Sequence, residues 1–224
     1  VNSNRKSYSW QRVNCSYEKG LYMRIERVES LDKRKCKVFT DEDFAFLLYN
    51  GELEKYGVCE GAVLEERTER ELLDLLSRRA HERALNLLKV QDRTEGEMCR
   101  RLFQDGYPDS IVQETIGFLQ EYHFVDDARY AANYLQVHGK RKSQAELKLY
   151  LQRKGISREI IREQLEETEH DSGEAIRVLL EKKHYRAGET APEEKKKIIA
   201  YLMRRGFSWE DIRREMKEQE DALG

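Results

Sequence analysis

From Met23 the chain alternates apolar and charged residues, Met23-Arg24-Ile25-Glu26-Arg27-Val28, the period of a half-buried strand. Leu31-Asp32-Lys33-Arg34 reads as a polar turn, after which Lys35-Cys36-Lys37-Val38-Phe39 resumes the alternation. Beyond Thr40-Asp41-Glu42-Asp43, the apolar run Phe44 to Tyr49 predicts a third strand closed by Asn50-Gly51. Gly57 and Gly61 then bracket one more short turn. A unit this small buries little surface alone, so it is expected to be a structural cap that packs on the rest of the chain. From Thr68 the period becomes helical. Thr68-x-x-Glu71 reads as a capping box, and Leu72, Leu76, Ala80, Ala84, Leu87 and Leu88 line one face of a helix running to about Val90.

Past this helix the pattern repeats, with glycine as the anchor. Leu102-x-x-x-Gly106-Tyr107, Leu151-x-x-x-Gly155-Ile156 and Leu202-x-x-x-Gly206-Phe207 are one motif, its glycines 49 and 51 residues apart. Four positions before each Leu stand Met98, Leu147 and Ile198. Six after each Gly stand Val112, Ile161 and Ile212, and four further on Ile116, Leu165 and Met216. Each unit therefore predicts helix, Gly turn, helix, with i, i+4 apolar pairs on both sides of a turn that needs the left-handed conformation. Capping boxes open the incoming helices at Thr94-x-x-Glu97, Ser143-x-x-Glu146 and Thr190-x-x-Glu193. A third helix precedes each pair, built on Ala84/Leu88, Ala131/Leu135 and Ala175/Leu179, with Asp127 and Ser172 as caps of the second and third.

The expected fold class is mostly α: three tandem three-helix, helix-turn-helix-like repeats, elongated and curved, with a small N-terminal β unit. The boundaries read as a flexible tail over 1–22, the β unit over 23–64, the long helix with repeat 1 over 65–126, repeat 2 over 127–171 and repeat 3 over 172–224. The segment before Met23 is polar and without a period; it reads either as a tail or as sequence upstream of the natural start.

Composition agrees with long solvated helices: 38% charged residues, 39% hydrophobic and two prolines. The 41 basic and 43 acidic side chains leave a net charge of −2, so a global basic field is excluded while a local basic face stays open. Cys15, Cys36, Cys59 and Cys99 form no C-x-x-C pair, which argues for reduced thiols and a cytoplasmic address. The longest apolar runs have six residues, well short of the roughly 20 that a membrane span needs.

The chain offers no phosphate loop, no G-x-S-x-G and no H-E-x-x-H, and its five histidines keep no ligand spacing. No catalytic residue, metal or cofactor is expected, and Cys99 reads as a small core hydrophobe. Each unit matches the spacing of a DNA-reading helix-turn-helix, yet its second helix offers Asp109 and Glu114 in the first unit and Arg158, Glu159 and Glu163 in the second. Carboxylates set against phosphates would be repelled, which favours the architecture without groove insertion.

Cations concentrate in the later units. Lys140-Arg141-Lys142 precede the second capping box, and three adjacent cations in a loop repel one another unless they meet an anion. Arg153, Lys154 and Arg158 flank the second Gly turn; Arg204 and Arg205 flank the third, with Arg213 and Arg214 on the helix beyond it. These ten are the candidate filament- or DNA-binding residues. Lys195-Lys196-Lys197 reads as a solvated face.

Several of these segments together resemble a known family. Ala84-Leu85-x-x-Leu88 is followed by Arg93-Thr94-x-x-Glu97, then by Phe124-Val125-Asp126-Asp127-Ala128-Arg129-Tyr130-Ala131, Leu151-x-x-Lys154-Gly155-Ile156 and Tyr201-Leu202-x-Arg204-Arg205-Gly206-Phe207. In these the chain resembles the RecX regulators of bacterial RecA recombinase, over Ala84 to about Met216 and, more loosely, Met23 to Leu64. Met98 stands where the family usually has Leu, and the third unit has a longer lead-in from Tyr185 to Pro192. The resemblance implies a non-catalytic modulator that binds the RecA–single-stranded-DNA filament, limits strand exchange and the SOS response, and binds DNA directly. Inhibition is the usual sense of that regulation and support the less usual one. The implied partners are the RecA filament, single-stranded DNA and duplex DNA, with no membrane and a monomeric chain. Two other readings stay open: a tandem helix-turn-helix protein acting on duplex DNA, and a structural adaptor.

Overall fold

The structure, a computed structural model, describes residues 23–41, 45–168 and 172–221. The expected tail over 1–22 and the first residue of the third-strand run, Phe44, lie outside them.

Three antiparallel strands in the order β1 (Ile25–Ser30), β2 (Lys35–Thr40) and β3 (Ala45–Tyr49) come first among the described residues. Asp32 shapes the first turn by accepting from the backbone N–H groups of Arg34 and Lys35 at 2.7 and 2.9 Å. The alternation of the first strand is imperfect, because Ile25 and Val28 are three residues apart. A β-bulge between Ile25 and Arg27 absorbs the extra residue, and both Val28 and Val38 then sit against the same core. The sequence pattern predicts only a closing turn at Asn50-Gly51. Instead a two-turn helix α1 (Asn50–Tyr56) begins there, Glu52 capping it through the Tyr49 N–H, and ends on Gly57 in the left-handed conformation.

Helix α2 (Glu66–Leu88) starts before Thr68, so Thr68 lies in its first turn rather than at its cap, and Glu71 pairs with Arg67. One helix serves two cores. Leu72, Leu76 and Ala80 join Ile25, Val38, Phe46, Leu48, Tyr56, Val58, Leu64 and Ile111 under the sheet. Ala84, one turn on, belongs to the next core with Met98, Leu102, Val112, Ile116, Leu119 and Val125. An ion pair from Arg79 to Glu52, with the guanidinium over the Tyr49 ring at 4.9 Å, ties α2 to α1 and β3. The β unit is thus built into the helical array, and a boundary drawn at residue 64 runs through one core.

The array continues as α3 (Glu95–Gln104) and α4 (Asp109–Glu121) of unit 1. Unit 2 is α5 (Asp127–His138), α6 (Gln144–Lys154) and α7 (Arg158–Glu167). Unit 3 is α8 (Ser172–Lys182), α9 (Pro192–Arg204) and α10 (Trp209–Asp221). Leu102, Leu151 and Leu202 are fully buried, as are Val112, Ile161 and Ile212, so the register read from glycine is the register of the cores. Gly106, Gly155 and Gly206 have φ of 86°, 96° and 85°, the left-handed values that the motif requires. Thr94 and Ser143 cap α3 and α6 as capping boxes. Two other expected caps move. Asp126 rather than Asp127 accepts from the Arg129 N–H at the start of α5. Helix α9 opens with Pro192 behind Ala191, because proline favours the first helical position; the Thr190 hydroxyl instead accepts from the Arg186 N–H and closes the preceding turn.

Candidate functional site

The N-terminal turn of one unit's second helix receives the Gly turn of the next unit, and the same chemistry is used twice. The Thr94 hydroxyl donates to the Lys154 carbonyl at 2.6 Å, and the Ser143 hydroxyl donates to the Arg205 carbonyl. Each hydroxyl also accepts from an N–H of its own helix, so one side chain caps the helix and clamps the neighbour. Glycine makes the approach possible. A Cβ on Gly155 would stand 3.1 Å from the Gly96 Cα, and one on Gly206 would stand 2.7 Å from the Ala145 Cβ. The turn of unit 1 is received by the sheet, since a Cβ on Gly106 would strike the Leu47 side chain at 2.4 Å.

The residue before each glycine completes the joint. Lys154 Nζ pairs with Glu97 Oε1 at 2.6 Å, and Arg205 grips Glu146 with two bonds of 2.8 Å. Burial works against the Lys154 ammonium, but the bond to Glu97 and its charge outweigh it and hold its pKa above the ordinary value. The Arg205 guanidinium is held charged chiefly by Glu146. In unit 1 the sign reverses: Asp105 pairs with Arg83 of α2 at 2.7 Å. These are half-buried, geometrically fixed pairs, so each bond contributes about 1–3 kcal/mol.

The ten candidate cations therefore separate. Lys154 and Arg205 hold the joints together. Lys142 donates to the Tyr134 hydroxyl and lies over the stacked Tyr134 and Tyr150 rings, whose centroids are 4.0 Å apart. Lys140 pairs with Glu174 of α8 at 3.2 Å, and Arg214 with Asp211 at 2.8 Å. The stretch expected to be an unpartnered cationic loop is in fact a 3-10 turn (Gly139–Arg141) packed on α8, with counter-charge and tyrosines to hold its lysines. Arg141, Arg153, Arg158, Arg204 and Arg213 are exposed, and their guanidinium groups make no hydrogen bond or ion pair among the described residues. Arg153 and Arg204 are equivalent, each two residues before a Gly turn.

One cationic group has no counterpart in the sequence expectations. Arg93, Arg100 and Arg101 line a groove on unit 1 with Leu87, Glu97 and Gln104. The Nε atoms of Arg93 and Arg101 are buried there without a hydrogen-bond partner. The i, i+3 and i, i+4 spacing of Glu97, Arg100, Arg101 and Gln104 on α3 was the available signal; the acid excess of the surrounding segment hid it.

Next to these joints, Glu95 and Asp127 are two neighbouring carboxyls. Asp127 accepts from the Glu95 N–H at 2.8 Å, and burial lifts both pKa values above the usual range; the Asp127 charge adds to the effect on Glu95. Burial also pushes the Cys99 thiol up to about 11, which keeps it protonated at neutral pH. Among the described residues there is no group of three or more His, Cys, Asp or Glu placed to hold a metal ion, and no helix long and apolar enough to cross a membrane.

Two equivalent joints, four successive cores and Gly-turn helix pairs define a tandem three-helix repeat protein. Models of the first, second and third three-helix domains of RecX match residues 80–119, 126–165 and 171–216, together more than half of the chain. A regulatory protein RecX of Clostridium acetobutylicum is 28% identical over 203 residues, covering 87% of this chain and 95% of its own. That of Clostridium tetani is 33% identical over 135 residues, covering 58% and 62%. The crystal structure of a regulatory protein RecX shares the fold, with a TM-score of 0.58 at 22% identity over 87% of this chain and 99% of that one. The chain belongs to the RecX family.

Proposed function

We propose that this chain is a non-catalytic modulator of RecA recombinase that binds the RecA–single-stranded-DNA filament and limits strand exchange, and through it the SOS response. The observation that carries the reading is the pair Arg153 and Arg204. They are exposed arginines without an ion pair or side-chain hydrogen bond among the described residues, at equivalent positions of successive units, on an array whose other repeated cations are used internally. Cations left free at a structural repeat suit a ligand that is itself a repeating polyanion. Arg141, Arg158 and Arg213, exposed and likewise without an ion pair among the described residues, are further candidate contacts. Lys140, Lys142, Lys154, Arg205 and Arg214 act in this reading mainly by holding the units in place. In units 1 and 2 the helix after the Gly turn does not suit the duplex groove. Helix α4 carries no Lys or Arg, and α7 sets Glu159, Glu163, Glu166 and Glu167 beside Arg158 and Arg162.

Arg153→Glu/Arg204→Glu is expected to weaken binding to recombinase-coated single strands at least tenfold and to flatten its salt dependence, with unchanged unfolding midpoints. Lys154→Glu, one residue away, is expected to lower stability first, because it sets a second carboxylate face to face with that of Glu97. Equal binding by the double variant and the parent at physiological salt would remove these arginines from the interface.

A further inference from the structure

Unit 1 has an exposed surface that the cationic reading leaves unused. Phe118, Tyr122 and Phe124 form one ring cluster, with centroid separations of 5.0, 6.2 and 6.3 Å, and His81 of α2 stacks on Phe118 at 4.3 Å. The unit-1 core is complete without the outer two rings: Tyr122 is 59% exposed and Phe124 46%. A lone exposed aromatic is ordinary, but touching rings left outside a finished core form a patch.

The charge along the segment that carries the patch is one-sided. Between Arg101 and Arg129 lie 27 residues with no Lys or Arg and six acids. A chain with 41 basic residues in 224 would place about five there by proportion. Most of these acids are engaged: Asp105 pairs with Arg83, Glu114 accepts from the Ser77 hydroxyl one turn before Phe118, and Asp126 and Asp127 take backbone N–H groups. Glu121, next to Tyr122, is exposed and makes no ion pair among the described residues. Arg129 borders the patch with its guanidinium donating to the His123 carbonyl at 3.1 Å.

Aromatic rings on a surface can stack nucleobases, but a strand laid here would bring its phosphates against carboxylates. A protein segment presenting an apolar side chain flanked by Lys or Arg satisfies both halves of the surface: rings for its anchor and the exposed Glu121 carboxylate for its rim. We propose that the Phe118–Tyr122–Phe124 patch docks such a basic, apolar segment on the protein coat of the filament, while the free arginines of units 2 and 3 face its nucleic acid. The proposal rests on the filament reading above and divides that interface between the two ends of the array.

The test uses the full chain with Tyr122→Ala/Phe124→Ala and, separately, Glu121→Lys, which leaves the rings in place. Each is titrated onto recombinase-coated single strands and onto bare single strands of the same length at one salt concentration. The double variant is expected to lose about tenfold or more in filament affinity, and Glu121→Lys to weaken it in the same direction, while both bind bare strands within about twofold of the parent. If the parent binds filaments and both variants bind them equally well, the surface is overturned and the filament reading stands. If the double variant loses bare-strand and filament binding alike, the rings stack bases and the assignment to protein is overturned. If the parent binds bare strands but no filament, the functional reading falls and takes this surface with it.

Discussion

Charge at single residues in this protein has two distinct uses, and adjacent positions show both. Lys154 is clamped to Glu97 while Arg153 is exposed, and Arg205 is clamped to Glu146 while Arg204 is exposed, neither Arg153 nor Arg204 having an ion pair among the described residues. Counting cations along the chain finds both kinds and cannot sort them, because the acid partners lie 57 and 59 residues away. The carboxyls at the unit 1–unit 2 joint give a test at this scale. Glu95 and Asp127 have folded-state pKa values raised above their ordinary 4.5 and 3.8, so across that interval the folded chain holds more protons than the unfolded one. Their destabilising contribution is fully present above the folded pKa values and relieved as pH falls through them. Glu95→Gln removes part of it. The α3 N-terminus favours the charge it loses, so the pH trend rather than the size of the difference is diagnostic. Urea unfolding should show Glu95→Gln gaining on the parent at pH 7 relative to pH 4.5; a difference that is flat, or that grows in acid, would contradict the assigned burial.

Among the elements, the helices and Gly turns of the repeats were legible in the sequence because each depends on local features: apolar spacing, a cap and a glycine. Helix α1 was not, since two turns over Asn50–Tyr56 give too little periodicity to separate from a loop. The bulge at Glu26 went unread for the opposite reason, as one misplaced residue in an otherwise alternating strand looks like noise. The core shared by the sheet and α2 was not legible either, because the apolar face of α2 is continuous, and nothing in its spacing shows that Leu72, Leu76 and Ala80 serve one core and Ala84 another. A fragment beginning at Thr68 leaves those three side chains bare. Hydrogen exchange on it should show lost protection over the residues up to 80, while units 2 and 3, whose cores share no residue with the sheet, retain theirs. Full protection of that segment without the sheet would show that α2 does not need the shared core.

On the scale of the whole molecule, the joints make the array. Each unit meets its neighbour through a hydroxyl, a Gly turn and an ion pair, so free arginines at equivalent positions are held at a spacing set by the repeat rather than by their own loops. Of the ten candidate cations, Arg141, Arg153, Arg158, Arg204 and Arg213 are exposed without an ion pair among the described residues, and the other five are engaged within the chain. What the residues alone did not disclose was this sorting, which depends on side chains brought together across the joints. The proposed function stands or falls on what the array recognises. Binding measured at one salt concentration to bare duplex, bare single strand and recombinase-coated single strand should rank the coated strand first by at least about tenfold, because only it offers phosphates and protein together. A chain that prefers bare duplex, or that binds coated and bare single strands alike, would contradict it.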